Sequence, residues 1–314
     1  MSSSVMSDPR QAYMADLPPA LLKMVQSAEA ETHQSEGQRP LAEIKRRIED
    51  AASVSSFSSA IASGFGMIAE IKECSPSMGS MRKENVSRAA EAYAQSPIVR
   101  AVSVLTNQAN FGAGMTLDRL RRVREAVRKP VLRKDFVVHP YQIYEARAYG
   151  ADAVLLMANV LTTESLKEFH ELATQLGMDA LFEIHTRDEL DKIPKGARIY
   201  GINARSFKAS GKRFRASRWL SFASRWFGVQ KDLTTDLGNF RLSKEIPSGA
   251  LRVAESGIEP SRCREVYELG FNAVLVGTAL LIGPEDIQTV LHRFEEAIKG
   301  ISQHGARVSS PAAV

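Results

Sequence analysis

Residues 67–81, MIAEIKECSPSMGSM, place a carboxylate and an ammonium two positions apart inside an otherwise apolar run. Met67 to Ile71 reads as a buried strand, and Ser75-Pro76-Ser77-Met78-Gly79 breaks the chain directly after it. Alternate residues of a strand share a face, so Glu70 and Lys72 project together from its far end. Opposite charges at the end of a core strand need a reason, and the rest of the chain supplies one.

Seven further runs of this kind follow: VRAVSVLT (99–106), KPVLRKDF (129–136), ADAVLLMA (151–158), MDALFEIH (178–185), RIYGINAR (198–205), ALRVAESGI (250–258) and FNAVLVGTAL (271–280). Between them lie segments with helical periodicity, such as YQIYEARAYG and LKEFHELATQLG, several stopped by a glycine (Gly150, Gly177, Gly270). Strand and helix alternating in this way predict parallel strands covered by helices. Near-continuous apolar strands, and no G-x-G-x-x-G after the first, favour a closed (β/α)8 TIM barrel over an open doubly wound sheet. Residues 19–63 predict a helical extension ahead of the barrel, and the whole of 19–303 reads as one domain. The flanks, 1–18 and 304–314, are small and polar and are expected to be disordered.

Composition narrows the class. With 44% hydrophobic and 25% charged residues, a chain of 314 residues can bury a large core. No run reaches the roughly 18 apolar residues needed to span a bilayer. The N-terminus lacks the basic and apolar regions of a secretion signal, and Cys74 and Cys263 make no disulfide framework. A cytoplasmic enzyme without membrane contact is expected. The net charge of +5 is local: seven basic residues and no acidic one lie between Lys208 and Lys231, leaving 34 basic against 36 acidic residues elsewhere. The body of the protein is not a nucleic-acid surface.

In a barrel, functional groups project from the C-terminal ends of the strands. Glu70 and Lys72 end the first run, Lys134 and Asp135 the third, Glu183 and His185 the fifth, Asn203 and Arg205 the sixth. Glu255 with Ser256-Gly257 ends the seventh and Gly277-Thr278 the eighth. One strand-end charge is usually solvated or in a structural ion pair; six such ends gathered on one rim are not. Lysines and carboxylates converging there push each other's pKa values apart and supply an acid and a base near neutrality. The last two strand ends are where barrels hold a phosphate on backbone N–H groups, so a phosphorylated, sugar-like small molecule is expected.

IAEIKECSPSMG, SVLT, PVLRKDF, FEIHTRDEL, GINAR, VAESGI and AVLVGTAL, in this order and spacing, resemble the indole-3-glycerol-phosphate synthase family of tryptophan biosynthesis, from Leu21 to Arg293. The resemblance implies a carboxy-lyase that converts 1-(2-carboxyphenylamino)-1-deoxyribulose 5-phosphate to indole-3-glycerol phosphate, CO2 and water. It implies no metal or organic cofactor. Carried over by motif, Lys134 is the general acid of ring closure, Glu70 and Glu183 the acid/base carboxylates of dehydration, and Lys72 a partner of Glu70 and substrate. Asn203 positions the ribulose hydroxyls, Arg205 lies near the anthranilate carboxylate, and Ser75, Phe136 and Leu275 wall the aromatic ring. Glu255 and Ser256 continue that wall to a phosphate held by Gly257, Gly277 and Thr278. Competing readings are a related ribulose-phosphate barrel such as phosphoribosylanthranilate isomerase, or a paralogue that binds a partner. Glu70 and Lys72 on the first strand count against the isomerase, which uses a Cys and an Asp.

Two departures stand out. After GINAR the chain inserts a basic stretch, about 208–230, in which Trp219, Phe222 and Trp226 share a helical face. It reads as a surface helix packed on the barrel or a neighbouring subunit, with a lid or a docking helix as alternatives. NQANFGAG (107–114) lacks the family's acidic residue after SVLT and has Ala113-Gly114 in place of Gly-Ser. Cys74 reads as an incidental thiol, and His185 as a structural hydrogen-bonder rather than a second base.

Overall fold

The alternation closes into a cylinder in the computed structural model, which describes residues 17–206 and 234–308. Eight parallel strands form the barrel: β1 (Gly66–Ile71), β2 (Val99–Leu105), β3 (Val131–Lys134), β4 (Ala153–Met157), β5 (Asp179–Ile184), β6 (Ile199–Asn203), β7 (Leu251–Glu255) and β8 (Ala273–Val276). Each pairs with its neighbours in sequence, and β1 closes on β8 with Ile68 opposite Leu275. Three helices precede the barrel: α1 (Pro19–Gln38), α2 (Leu41–Glu49) and α3 (Phe57–Ala62). The others follow strands in turn: α4 (Lys83–Gln95), α5 (Gln108–Phe111), α6 (Leu117–Ala126), α7 (Pro140–Ala148), α8 (Thr163–Gln175), α9 (Arg187–Leu190), α10 (Cys263–Glu268), α11 (Thr278–Leu281) and α12 (Ile287–Val308).

Local chemistry sets these elements. In α8 the Thr162 hydroxyl accepts from the Ser165 N–H, capping the first turn. Leu166, Phe169 and Ala173 recur at helical spacing and are all buried against the barrel. Gly177, with φ +79°, ends the segment in a conformation that an L side chain rarely adopts. Burying Phe169 alone is worth about 2–3 kcal/mol, so Phe169→Ala is the single change that would loosen this helix most.

Strand periodicity sorts the core into two layers. Outward residues such as Met67, Val102, Val131, Leu156, Phe182, Ile202 and Val274 pack with the helices. Inward residues Ile68, Ala101, Leu132, Ala153, Leu181, Ile199, Val253 and Ala273 fill the cylinder. Phe57 and Ile61 of α3 join that inner cluster, as do Leu21, Met24, Val25 and Ala28 of α1. Two residues further along, the inward position is still apolar on β4 (Leu155) and β8 (Leu275). It is polar on β1, β2, β3, β5 and β7, and on β6 Asn203 follows past Gly201. Alternation therefore puts Ser103, Lys134, Glu183, Asn203, Glu255 and Glu70 in one layer.

The flanks differ from expectation. Leu17 packs against the inner cluster, although residues 1–18 read as disordered. α12 runs on to Val308, through the start of the expected tail, because Val290, Leu291, Phe294, Ile298 and Ile301 form a buried stripe that carries the helix. An antiparallel ribbon, Arg205–Ser206 with Thr234–Thr235, brackets the insertion. The insertion itself, with Trp219, Phe222 and Trp226, lies outside the described residues.

Candidate active site

At the C-terminal rim a cavity of about 370 Å³ opens, lined by Glu70, Lys72, Lys134, Phe136, Glu183, Asn203, Arg205, Glu255, Ser256, Gly257, Leu275, Gly277 and Thr278. These are thirteen of the fourteen site residues expected from sequence. Ser75 is the other: it is buried, and its hydroxyl lies 3.2 Å from that of Ser77, while Pro76 and Met78 reach the cavity instead. Met24 of α1, Phe111 of α5 and Met157 of β4 also line it. Phe111 stacks on Phe136, with ring centroids 6.3 Å apart and planes 11° from parallel. Met24 and Phe111 sit on helices and carry no strand-end signal, and Met157, though it ends β4, is apolar and carries no charge to mark it.

The charged groups form two linked clusters. Lys72 Nζ donates to Glu70 Oε1 at 2.5 Å, and the Tyr93 hydroxyl pins the Glu70 carbonyl at 3.0 Å. Burial pushes the Glu70 carboxyl up, but the Lys72 and Lys134 charges outweigh it, and the net displacement is downward. Lys134 Nζ lies 3.5 Å from Glu183 Oε2 and 3.8 Å from Glu255 Oε2. Burial alone would strip its proton; the carboxylates of Glu183, Glu255 and Glu70 raise its pKa above the ordinary lysine value.

Glu183 and Glu255 are both fully buried yet diverge. Asn203 Nδ2 donates to Glu183 Oε1 at 2.9 Å, and His185 Nε2 stands 3.3 Å from the same oxygen. With Lys134 on its other oxygen, Glu183 overcomes burial and stays well below the usual carboxylate range. Neither oxygen of Glu255 has a hydrogen-bond partner. Burial first, and the Glu183 charge second, push its carboxyl up to about 8 against the pull of Lys134. One rim thus holds an ionised carboxylate, a protonated carboxyl and an ammonium near neutral pH. Asn203 is fixed at both ends, since its Oδ1 accepts from the Arg205 N–H at 2.9 Å.

Two glycines make room for the acids. A Cβ on Gly201 would fall 2.1 Å from Glu255 Oε1, and one on Gly277 would fall 2.3 Å from Glu70 Oε1. At the end of β7, Ser256 (φ +69°) and Gly257 (φ +70°) are both left-handed. For Ser256 that conformation is costly, and it turns the backbone beside the cavity.

Asp135, the other acid of RKDF, faces outward. Its Oδ2 accepts from Arg133 Nη2 at 2.9 Å and from the Thr106 hydroxyl at 2.7 Å. Arg133 also lies 3.4 Å from Glu145 and donates to the Gln142 carbonyl at 2.6 Å. This cluster borders a cleft of about 240 Å³ beneath α1, where Glu31 accepts from Asn107 Nδ2 and the Ala109 N–H. The altered loop after β2 is held at its other end by Glu73, whose Oε2 accepts from the Gly114 N–H at 2.9 Å. A Cβ at Gly114 would overlap that carboxylate, which accounts for the glycine there.

Fold and rim define a (β/α)8 barrel with acidic and basic side chains gathered around one cavity. A family model of indole-3-glycerol phosphate synthase matches residues 21–211. The chain is 40% identical over 221 residues to the indole-3-glycerol phosphate synthase of Mycobacterium sp. (strain KMS), covering 69% of this chain and 72% of that protein. It is 38% identical over 245 residues to the one from Mycolicibacterium gilvum (strain PYR-GCK), covering 77% and 81%. The chain belongs to the indole-3-glycerol phosphate synthase family. Among solved structures, thiamine phosphate pyrophosphorylase from Pyrococcus furiosus (TM-score 0.51, 16% identity, 77% of this chain and 98% of that one) shares the fold. So does 3-hexulose-6-phosphate synthase from Salmonella typhimurium (TM-score 0.51, 12% identity, 75% and 99%). No helix among the described residues is long and apolar enough to cross a membrane.

Proposed function

We propose that this chain closes, decarboxylates and dehydrates 1-(2-carboxyphenylamino)-1-deoxyribulose 5-phosphate, giving indole-3-glycerol phosphate, CO2 and water. The observation that carries the reading is Lys134 Nζ placed between the buried carboxyl groups of Glu183 and Glu255, in a cavity with apolar walls. Ring closure turns a ketone oxygen into an alkoxide, and Lys134 is the group placed to protonate it. Loss of CO2 then restores the benzene ring. Dehydration needs a base and an acid. Glu70 and Glu183, both displaced towards the ionised form, suit the base; the acid comes from Lys72, Lys134 or the protonated Glu255.

Phe136, Phe111, Leu275 and Met24 suit the aromatic ring, and Arg205 the benzoate carboxylate. Asn203 would orient the sugar hydroxyls. The backbone turns at Ser256-Gly257 and Gly277-Thr278, on neighbouring strands, suit the phosphate.

The test is direct. Purified protein mixed with the carboxyphenylamino sugar phosphate should give a rise in indole fluorescence, and CO2 in equal amount. No product from a folded sample would end the proposal.

A further inference from the structure

Behind Glu183 stands a histidine that the chemistry above does not use. His185 is two residues beyond Glu183, hence on the same inward side of the chain, and is 7% exposed. Its Nε2 lies 3.3 Å from Glu183 Oε1, and its Nδ1 lies 3.3 Å from Glu189 Oε2. Glu189 is itself fixed twice: its carboxylate accepts from the His185 backbone N–H at 2.6 Å, and its own N–H donates to the Thr186 hydroxyl at 3.4 Å. HTRDEL therefore folds as a helix cap whose glutamate reaches back to the histidine. The result is an unbroken line: Glu189, His185, Glu183, Lys134.

We propose that His185 is a positioning residue for Glu183, a cationic clamp braced by Glu189 that fixes one carboxylate oxygen and leaves the other for Lys134 and the substrate. The proposal deepens the synthase reading and rests on it. An imidazole with a carboxylate 3.3 Å from each nitrogen is stabilised in the charged form. Nδ1 has hydrogen-bond geometry to Glu189, while Nε2 faces Glu183 Oε1 as an ion pair without it. Burial opposes that charge, but the Glu183 and Glu189 carboxylates outweigh it and lift the ring to about 9. The remaining charges nearby are Lys134 of β3 beyond Glu183, Glu255 of β7, and Lys192, which lies by Glu189 and donates to the Ala158 carbonyl. Among the described residues, the ion-pair partners within 4 Å of the ring are Glu183 and Glu189. Without His185, Glu183 keeps Asn203 and Lys134 but loses a positive neighbour and a rotational stop.

Two variants and two readouts test this on the full chain. His185→Asn removes the charge but keeps a donor; Glu189→Gln removes the brace and leaves the ring. Both should lower kcat at pH 7, His185→Asn by about tenfold to thirtyfold and Glu189→Gln by less, with KM within about twofold. In both, the acidic limb of the kcat–pH profile should move upward, by about one unit in His185→Asn. A profile superimposable on that of the unaltered protein overturns the proposal, whatever the change in thermal stability. The second readout needs no turnover: NMR titration of the His185 ring in the substrate-free protein, assigned by its loss in His185→Asn or its displacement in Glu189→Gln. The ring should stay charged past pH 8 and lose at least one unit in Glu189→Gln. A ring already neutral at pH 7.5 overturns the proposal. An unaltered protein that makes no indole product, with the ring charged, would sink the synthase reading and leave the clamp standing.

Discussion

β3 carries two buried ion clusters back to back, one on each face. Outside, Arg133 is matched by Asp135, Glu145 and the Gln142 carbonyl, and Asp135 is matched in turn by Thr106 and the Phe136 N–H. Inside, one residue along, Lys134 holds two carboxyls at 3.5 and 3.8 Å, and Glu255 meets no hydrogen-bond donor. The residue types are nearly the same; satisfaction differs in degree. Outside, Glu145 Oε1 alone lacks a hydrogen bond and has Arg39 at 3.7 Å, whereas inside both oxygens of Glu255 lack one. A filled network stabilises one geometry, whereas an incomplete one keeps lone pairs and protons available to a guest. Charge in a core therefore points to chemistry only when its partners run short.

The inner cluster gives the largest expected effect. Lys134→Ala should lower kcat by at least about 1,000-fold, roughly 4 kcal/mol at the transition state, with thermal unfolding little changed. Near-normal turnover would remove Lys134 from its role. Arg133→Ala should do the reverse: a loss of about 3–5 kcal/mol in denaturant unfolding, since Asp135 would be left buried without a counter-charge and Glu145 with only the half-buried Arg39 at 3.7 Å. Should Arg133→Ala unfold like the unaltered protein, the contrast between the two faces fails.

Glu255→Gln sharpens the comparison more gently. In the folded chain Glu255 keeps its proton up to about pH 8, whereas in the unfolded chain it loses it above about pH 4.3. Between those limits the native state binds the extra proton, so stability falls as pH rises. Removing the titration should make Glu255→Gln gain on the unaltered protein between pH 5 and pH 8, by about 3–4 kcal/mol, the cost of the partnerless buried amide being the same at both pH values. Paired melting curves at the two pH values check this; an equal difference at both would mean that Glu255 is ionised throughout.

How far the sequence discloses this arrangement depends on what each property rests on. Inward placement of Glu70, Lys134, Glu183, Asn203 and Glu255 follows from strand parity, and parity is visible in Ile68, Leu132, Leu181 and Val253 two residues earlier and in Ile199 four residues earlier. The protonation of Glu255 does not follow, because it depends on which donors other strands fail to bring. Ser75 looked like a wall residue from its motif, yet the turn after β1 aims it at Ser77, a matter of local backbone rather than pattern. Met24 reaches the cavity from a helix far off in sequence, and nothing in α1 marks it out from Leu21 or Val25, its buried neighbours. The end of α12 is hard to read from sequence because the apolar stripe that carries the helix ends at Ile301, before its last residues.

The missing β-carbons at Gly201 and Gly277 have a further consequence. Each glycine and the acid it accommodates form a lock of two parts, so the mutational effects of Gly201 and Glu255 cannot be independent, nor those of Gly277 and Glu70. Alanine at Gly201 should be tolerated only where Glu255 has already shortened. Libraries that vary one position at a time would therefore find this layer closed, and reprogramming the barrel calls for changing both members of a pair in one step.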